Sequence, residues 1–129
     1  VGKGGLHAQP AKNTYAEQGN QLAKQGNFQQ ALHSLTLAIS DNPSDARSYK
    51  LRGHVYYAIG DYAHALTDLE QVCALVPDSA NALEDRAIVY SVMGKHGLGL
   101  ADVERALALK LESSFAQAVR KEILSRASQ

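Results

Sequence analysis

Five histidines, one cysteine and a scatter of carboxylates are the residues with which this chain of 129 residues could do chemistry. His7, His33, His54, His64 and His96 form no His-x-x-x-His pair and no cysteine-rich spacing, so a zinc site lacks its usual sequence basis. Cys73 is the single cysteine. It cannot close an internal disulfide, which fits a reducing compartment. Its place beside Val72 in an apolar helical column reads as core filler rather than a reactive thiol. No serine or cysteine has a recognisable base and orienting group. The Gly2-Lys3-Gly4-Gly5 run lacks both the spacing and the preceding strand of a phosphate loop. These residues point away from an enzyme and imply no metal and no cofactor.

Thirteen basic residues balance thirteen acidic ones, so no bulk field draws the chain to nucleic acid or to an anionic membrane. No apolar run approaches the roughly 20 residues that span a bilayer, and the amino end lacks a signal-peptide core. The expectation is an intracellular, cytoplasmic protein that neither binds nucleic acid nor inserts into membranes. At 45% hydrophobic and 20% charged residues, the composition is that of a folded domain. The start at Val1 rather than methionine suggests a fragment of a longer protein or a processed chain.

The elements that must carry these side chains repeat. Gly26, Gly60 and Gly94 stand 34 residues apart. Aligned on them, Tyr15, Tyr49 and Leu83 form one column, Gly19, Gly53 and Ala87 another, and Leu22, Tyr56 and Tyr90 a third. Phe28, Tyr62 and His96 follow, then Ala31, Ala65 and Gly99, then Pro43, Pro77 and Leu111. A fixed period of this length reads as stacked helical hairpins, none able to bury its apolar face alone. The helical period begins near Ala11 and breaks at Gln25-Gly26; a second helix runs from Phe28 to about Asp41. Asn42-Pro43-Ser44 stops it, because proline disfavours helical geometry in the residue before it. Asp45 to Ala58 pairs with Tyr62 to Leu75, and Ser79 to Val92 with about His96 to Leu109. Ser114 to Ala127 carries Phe115, Val119 and Ile123 at four-residue steps and is expected to cover the last hairpin. The small residues on first and second helices let the two backbones approach closely. Residues 1–11 read as a flexible lead-in or an appended remnant, and residues 12–129 as one all-α repeat domain. Its units are 12–45, 46–79 and 80–113, with a capping helix over 114–127.

Gly26-Asn27-Phe28 followed by Ala31-Leu32, and Gly60-Asp61-Tyr62 followed by Ala65-Leu66, together with Pro43 and Pro77, resemble the tetratricopeptide repeat from about Lys12 to Ser113. The third unit departs from that pattern at His96, Gly99 and Leu111. The resemblance implies a right-handed superhelical solenoid of three antiparallel helix pairs plus the capping helix. It also implies a concave groove lined by the first helix of each pair, in which members hold peptides or extended protein segments. Groove positions carried over in this way are Asn13, Glu17, Asn20 and Lys24 in the first unit, with Ala16 and Ala23. The second unit supplies Arg47, Lys50, Leu51, His54 and Tyr57, and the third Asn81, Glu84, Asp85 and Ile88, with Ser91 and Val92. A basic middle at Arg47 and Lys50 then lies near an acidic pair at Glu84 and Asp85, either to receive a partner's charges or to neutralise one another.

Family members that clamp the Glu-Glu-Val-Asp tail of chaperones use lysine, asparagine and arginine at five places. Those places hold Ala16, Asn20, Leu51, Asn81 and Asp85 here, so only Asn20 matches. A terminal dicarboxylate needs charge-assisted donors, and an aspartate facing it repels. The expected function is a non-catalytic interaction module binding a peptide or helical segment of a protein partner. The alternative is an assembly element, self-associating as a homo-oligomer through the terminal helix or packing on another domain; a clamp-type co-chaperone is the weakest reading. If Phe115, Val119 and Ile123 cap their own solenoid, capture gains weight; if they exchange with another copy, assembly does.

Gly97 and Gly99 both fall inside one expected helix, at a cost of about 1 kcal/mol each relative to alanine. Amide protons between His96 and Ala106 should therefore exchange faster than those between Tyr62 and Val72. Equal or reversed protection, read by hydrogen exchange, would contradict this.

Overall fold

The computed structural model describes residues 14–110 and 112–129; the expected lead-in over 1–11, together with Asn13 and Leu111, lies outside the described residues. Among the described residues seven helices follow in order: α1 Thr14–Lys24, α2 Phe28–Asp41, α3 Ala46–Ala58, α4 Tyr62–Leu75, α5 Ala80–Val92, α6 His96–Leu109 and α7 Ser114–Ala127. Among the described residues there is no strand, and no helix is long and apolar enough to cross a membrane. The chain is an all-α solenoid of three hairpins, α1–α2, α3–α4 and α5–α6, each packed on the next, with α7 closing the last.

Local chemistry sets each boundary. The first helix of every hairpin ends in a glycine with positive φ, 80° at Gly26, 83° at Gly60 and 77° at Gly94, a conformation that residues with a Cβ adopt only under strain. At each of these turns two amide groups fold back on the helix. Gly60 N–H donates to the Tyr57 carbonyl at 3.0 Å and Asp61 N–H to that of Tyr56 at 2.9 Å. The same pair recurs at Gly26 and Gly94, satisfying carbonyls that would otherwise be left unpaired. Asp45, Ser79 and Ser113 start α3, α5 and α7 by accepting from Arg47, Ala82 and Ala116 backbone N–H groups. Asp61 does the same for α4, whereas Lys95 gives α6 no side-chain cap.

Three buried clusters run along the stack. Ala31 and Leu35 meet Val55 of the next hairpin. Leu69 and Val72 meet Val89 and Tyr90. Leu83, Ala87 and Val103 meet Ala116, Val119 and Ile123 of α7. Every cluster thus draws residues from adjacent units, which is why one hairpin alone leaves its apolar face open. The helix crossings are tight: a Cβ built on Gly19 would lie 2.5 Å from Leu35 Cγ, and one on Gly53 would lie 3.3 Å from both Asp68 Cβ and Leu69 Cγ. In the third unit the methyl has changed sides. Ala87 stands in the first-helix column and Gly99 in the second, where a Cβ would sit 3.2 Å from the Ala87 carbonyl oxygen.

Phe115 corrects one expectation. It is 51% exposed, while Ala116, Val119 and Ile123 form the buried stripe of α7. Steps of three and four from Ala116 keep to the inward face, whereas Phe115 lies one residue, about 100°, away from that stripe.

Gly53→Val should therefore destabilise by about 1 to 3 kcal/mol, because a branched side chain has to push Leu69 and the Asp68 stem aside. Gly97 has open space around its Cβ position, so Gly97→Ala should stabilise by up to about 1 kcal/mol. Urea melts of the two variants check both signs.

Candidate functional site

Polar side chains on α1, α3 and α5 meet in pairs that cross from one unit to the next. The Asp45 cap fixes the first turn of α3, accepting from Arg47 N–H at 3.3 Å and from the Ser48 hydroxyl at 2.6 Å. From that turn Arg47 Nη1 reaches Glu17 on α1 at 2.9 Å. Two turns further along, His54 Nε2 lies 3.0 Å from Asp85 Oδ2 on α5. Arg47 and Lys50 therefore do not neutralise Glu84 and Asp85 as the sequence suggested: Glu17 takes Arg47, and Asp85 meets His54. Asn20, Lys50, Leu51, Asp85 and Ile88 are half-buried, and Glu17, Lys24, Arg47, His54, Tyr57 and Asn81 are exposed. Lys50 has no ion-pair partner among the described residues.

Glu84, like Ala16 and Ser91, departs from the expected open surface. It is only 4% exposed, and it accepts a hydrogen bond from the Ser113 hydroxyl at 2.7 Å. That hydroxyl in turn accepts from Ala116 N–H at 3.0 Å. Glu84 thus anchors the start of α7 instead of facing a ligand, because α7 packs over this part of α5. Ala16, at a place where the clamp would need a lysine, is fully buried.

The first helices α3 and α5 approach each other less closely than α1 approaches α3 or α5 approaches α7. Two open cavities lie beside these helices, one at that gap and one between α5 and α7 next to Tyr57 of α3. One, of 370 Å³, is lined by Arg47, Lys50, Leu51 and Asn81, with Val72, Val76 and Ser79 among its walls. The other, of 210 Å³, is lined by Tyr57, Ile88, Ser91 and Val92 on one side and by Ala118, Val119 and Ile123 of α7 on the other. Glu122 and Arg126, paired at 2.9 Å, stand at its edge. Ser91 is 7% exposed and its hydroxyl has no hydrogen-bond partner.

Sequence reasoning missed a second set of charges. Arg52 donates through Nε and Nη2 to the two oxygens of Asp68, both at 2.8 Å. One period later, Arg86 grips Asp102 at 2.7 Å twice. Arg52 also reaches Thr36 Oγ1 of the preceding unit at 3.2 Å, and Arg120 reaches Glu104 at 3.3 Å. The hydrogen bonds to Asp68 and Asp102 hold both guanidinium groups more firmly protonated than usual. Asp68 and Asp102 are buried, so these pairs brace hairpins and leave no group free to react. The recurrence of arginine at residues 52, 86 and 120 was the available signal. Burial pushes the Cys73 thiol up from its ordinary pKa, which makes it a poorer nucleophile. Among the described residues, no three His, Cys, Asp or Glu side chains gather as a metal site.

A model of the family described as tetratricopeptide repeat matches residues 17–80 and again 50–112. A search of curated proteins finds no match. Solved structures are similar in fold. The first repeat domain of Spaghetti (RPAP3), bound to the HSP90 peptide SRMEEVD, superposes with a TM-score of 0.84 at 23% identity, covering 89% of this chain and 91% of that one. The second such domain of human RPAP3, in complex with the HSP70 peptide SGPTIEEVD, gives 0.82 at 23% identity over 88% and 94%. The Sgt2 domain from Aspergillus fumigatus gives 0.84 at 16% identity over 93% and 81%.

Two buried serines should behave oppositely. Ser113→Ala removes a helix cap and the hydrogen-bond donor to buried Glu84, and should cost about 2 kcal/mol or more. Ser91→Ala removes an unsatisfied hydroxyl and should be neutral or stabilising by up to about 1 kcal/mol. Denaturant midpoints compared with the parent decide the ranking.

Proposed function

The chain belongs to the tetratricopeptide repeat family, and from that premise we propose that residues 12–129 form a non-catalytic module that binds a peptide or helical segment of a protein partner in the groove of its first helices. The observation that carries this reading is the pair of open cavities on the first helices, one at the α3–α5 gap and one between α5 and α7. Their walls supply apolar surface at Tyr57 and Ile88 and a cation, Lys50, without an ion-pair partner among the described residues. We assign to the same groove the expected residues Glu17, Asn20 and Lys24 of α1, Arg47, Leu51 and His54 of α3, and Asn81 and Asp85 of α5, while Glu84 serves the fold.

RPAP3 domains of similar fold were solved with chaperone tail peptides, but the groove of this chain differs in charge. The three cationic places of the clamp hold Ala16, Asn81 and Asp85, Leu51 stands at one of its asparagines, and Asp85 adds an anion that meets His54. A tail ending in two carboxylates meets too few donors to be held. The ligand class that fits is a segment whose affinity comes from internal side chains.

The competing reading is an assembly element, self-associating through the terminal helix or packing on another domain; burial of Val119 and Ile123 in the solenoid's own last cluster gives weight to capture.

A chaperone tail ending in Glu-Glu-Val-Asp should show no saturable heat in calorimetric titration. Micromolar binding that depends on its terminal carboxylates would restore the clamp. A protein partner captured by the parent chain should lose affinity on Lys50→Glu at unchanged thermal stability, the more so at low salt, where exposed charges are least screened. Full binding by that variant would move the site off the groove.

A further inference from the structure

Two cavities lie along the first helices, one between α3, α4 and α5 and the other between α5 and α7 beside Tyr57 of α3. The polar one is flanked by Lys50 and Asn81, the apolar one by Tyr57 and Ile88. On each helix the flanking residues are seven positions apart, which is two turns or about 10 Å of axial rise. Between them the His54–Asp85 contact crosses the gap at 3.0 Å, so a ligand passes over that bridge from one cavity to the other. About three residues of extended chain cover the same distance.

The contents of the cavities define complementary ends. Arg47 is held by Glu17, which leaves Lys50 as the cation at the polar cavity without an ion-pair partner among the described residues. The apolar cavity, at 210 Å³, exceeds the roughly 150 Å³ void that takes up a benzene molecule in an engineered protein core. It has room for one large aliphatic side chain.

Resting on the groove-binding reading, we infer that the ligand is an extended peptide segment with a large aliphatic side chain three residues from a carboxylate, the first seated against Tyr57, Ile88 and α7 and the second on Lys50. Ala118 of α7 lines the apolar cavity from an exposed position, so the cavity can be filled without disturbing the buried cluster.

Blocked synthetic peptides test this on the whole chain by amide-resolved NMR titration: Ac-Gly-Glu-Ser-Ser-Leu-Gly-Gly-NH2, its Leu-Ser-Ser-Glu reversal, and versions with glutamate and leucine adjacent. One of the two orders at three-residue spacing should move the amides near Lys50 and Ile88 together. Replacing its leucine by alanine should weaken binding about tenfold or more, and replacing its glutamate by glutamine about threefold. Ala118→Trp should abolish the leucine dependence, and Lys50→Met the glutamate dependence, each at parental melting temperature. Groove binding without spacing dependence, or unaffected by Ala118→Trp, overturns the two-cavity inference while leaving the groove reading intact. No binding at millimolar peptide also overturns it, and the groove reading then stands or falls on partner capture with Lys50→Glu. Concentration-dependent shifts at these residues without peptide would assign the cavities to a second copy and overturn it as well.

Discussion

Each hairpin depends on how closely two helices can pass. At Gly53 a Cβ would come within 3.3 Å of Asp68 and Leu69, so a side chain enters only if they give way, and the third unit keeps the same allowance by exchanging glycine and alanine between its helices. The buried ion pair lies against that crossing: the carboxylate that Arg52 grips belongs to the Asp68 whose Cβ contacts the glycine. A wider crossing would pull the carboxylate away from the guanidinium and leave a charge uncompensated in the interior, a far greater cost than the contact itself. Steric fit and charge pairing therefore enforce one geometry, and the stacking of successive units inherits it.

Charge on the first-helix face follows a different logic. Glu17 with Arg47, and His54 with Asp85, each join neighbouring units. Such exposed pairs add little stability, but Arg47 and Glu17 offset each other's charge. Among the described groove residues Lys24 and Lys50 keep no ion-pair partner, beside the aromatic face of Tyr57 and the apolar wall of Ile88. Recognition by such a surface rests on where apolar side chains fit, with charge contributing direction.

Helix limits were legible because glycine, proline and capping residues recur in fixed places; Phe28–Asp41, Tyr62–Leu75 and His96–Leu109 coincide with the expected spans. Side-chain fate was less so. A groove position carried over by column assumes exposure, and Glu84 loses it to α7, whose hydroxyl cap reaches back 29 residues along the chain. Phe115 misled because its size and its four-residue step to Val119 outweighed the small Ala116, which does the packing. The Arg52–Asp68 and Arg86–Asp102 pairs were overlooked because polar residues on a helix are usually read as its wet side, although their period equals that of the glycines.

The seventh helix keeps the phase of the repeat. It begins 34 residues after α5, and Arg120 continues the series of Arg52 and Arg86. Yet the column that holds Gly19, Gly53 and Ala87 arrives there at Lys121, and the column of Tyr49 and Leu83 at Gln117. A helix laid beside α7 as α4 lies beside α3 would have to press its backbone onto a lysine. The seventh helix thus carries a long charged side chain in the column where the earlier first helices keep a glycine or an alanine for the second helix to dock against.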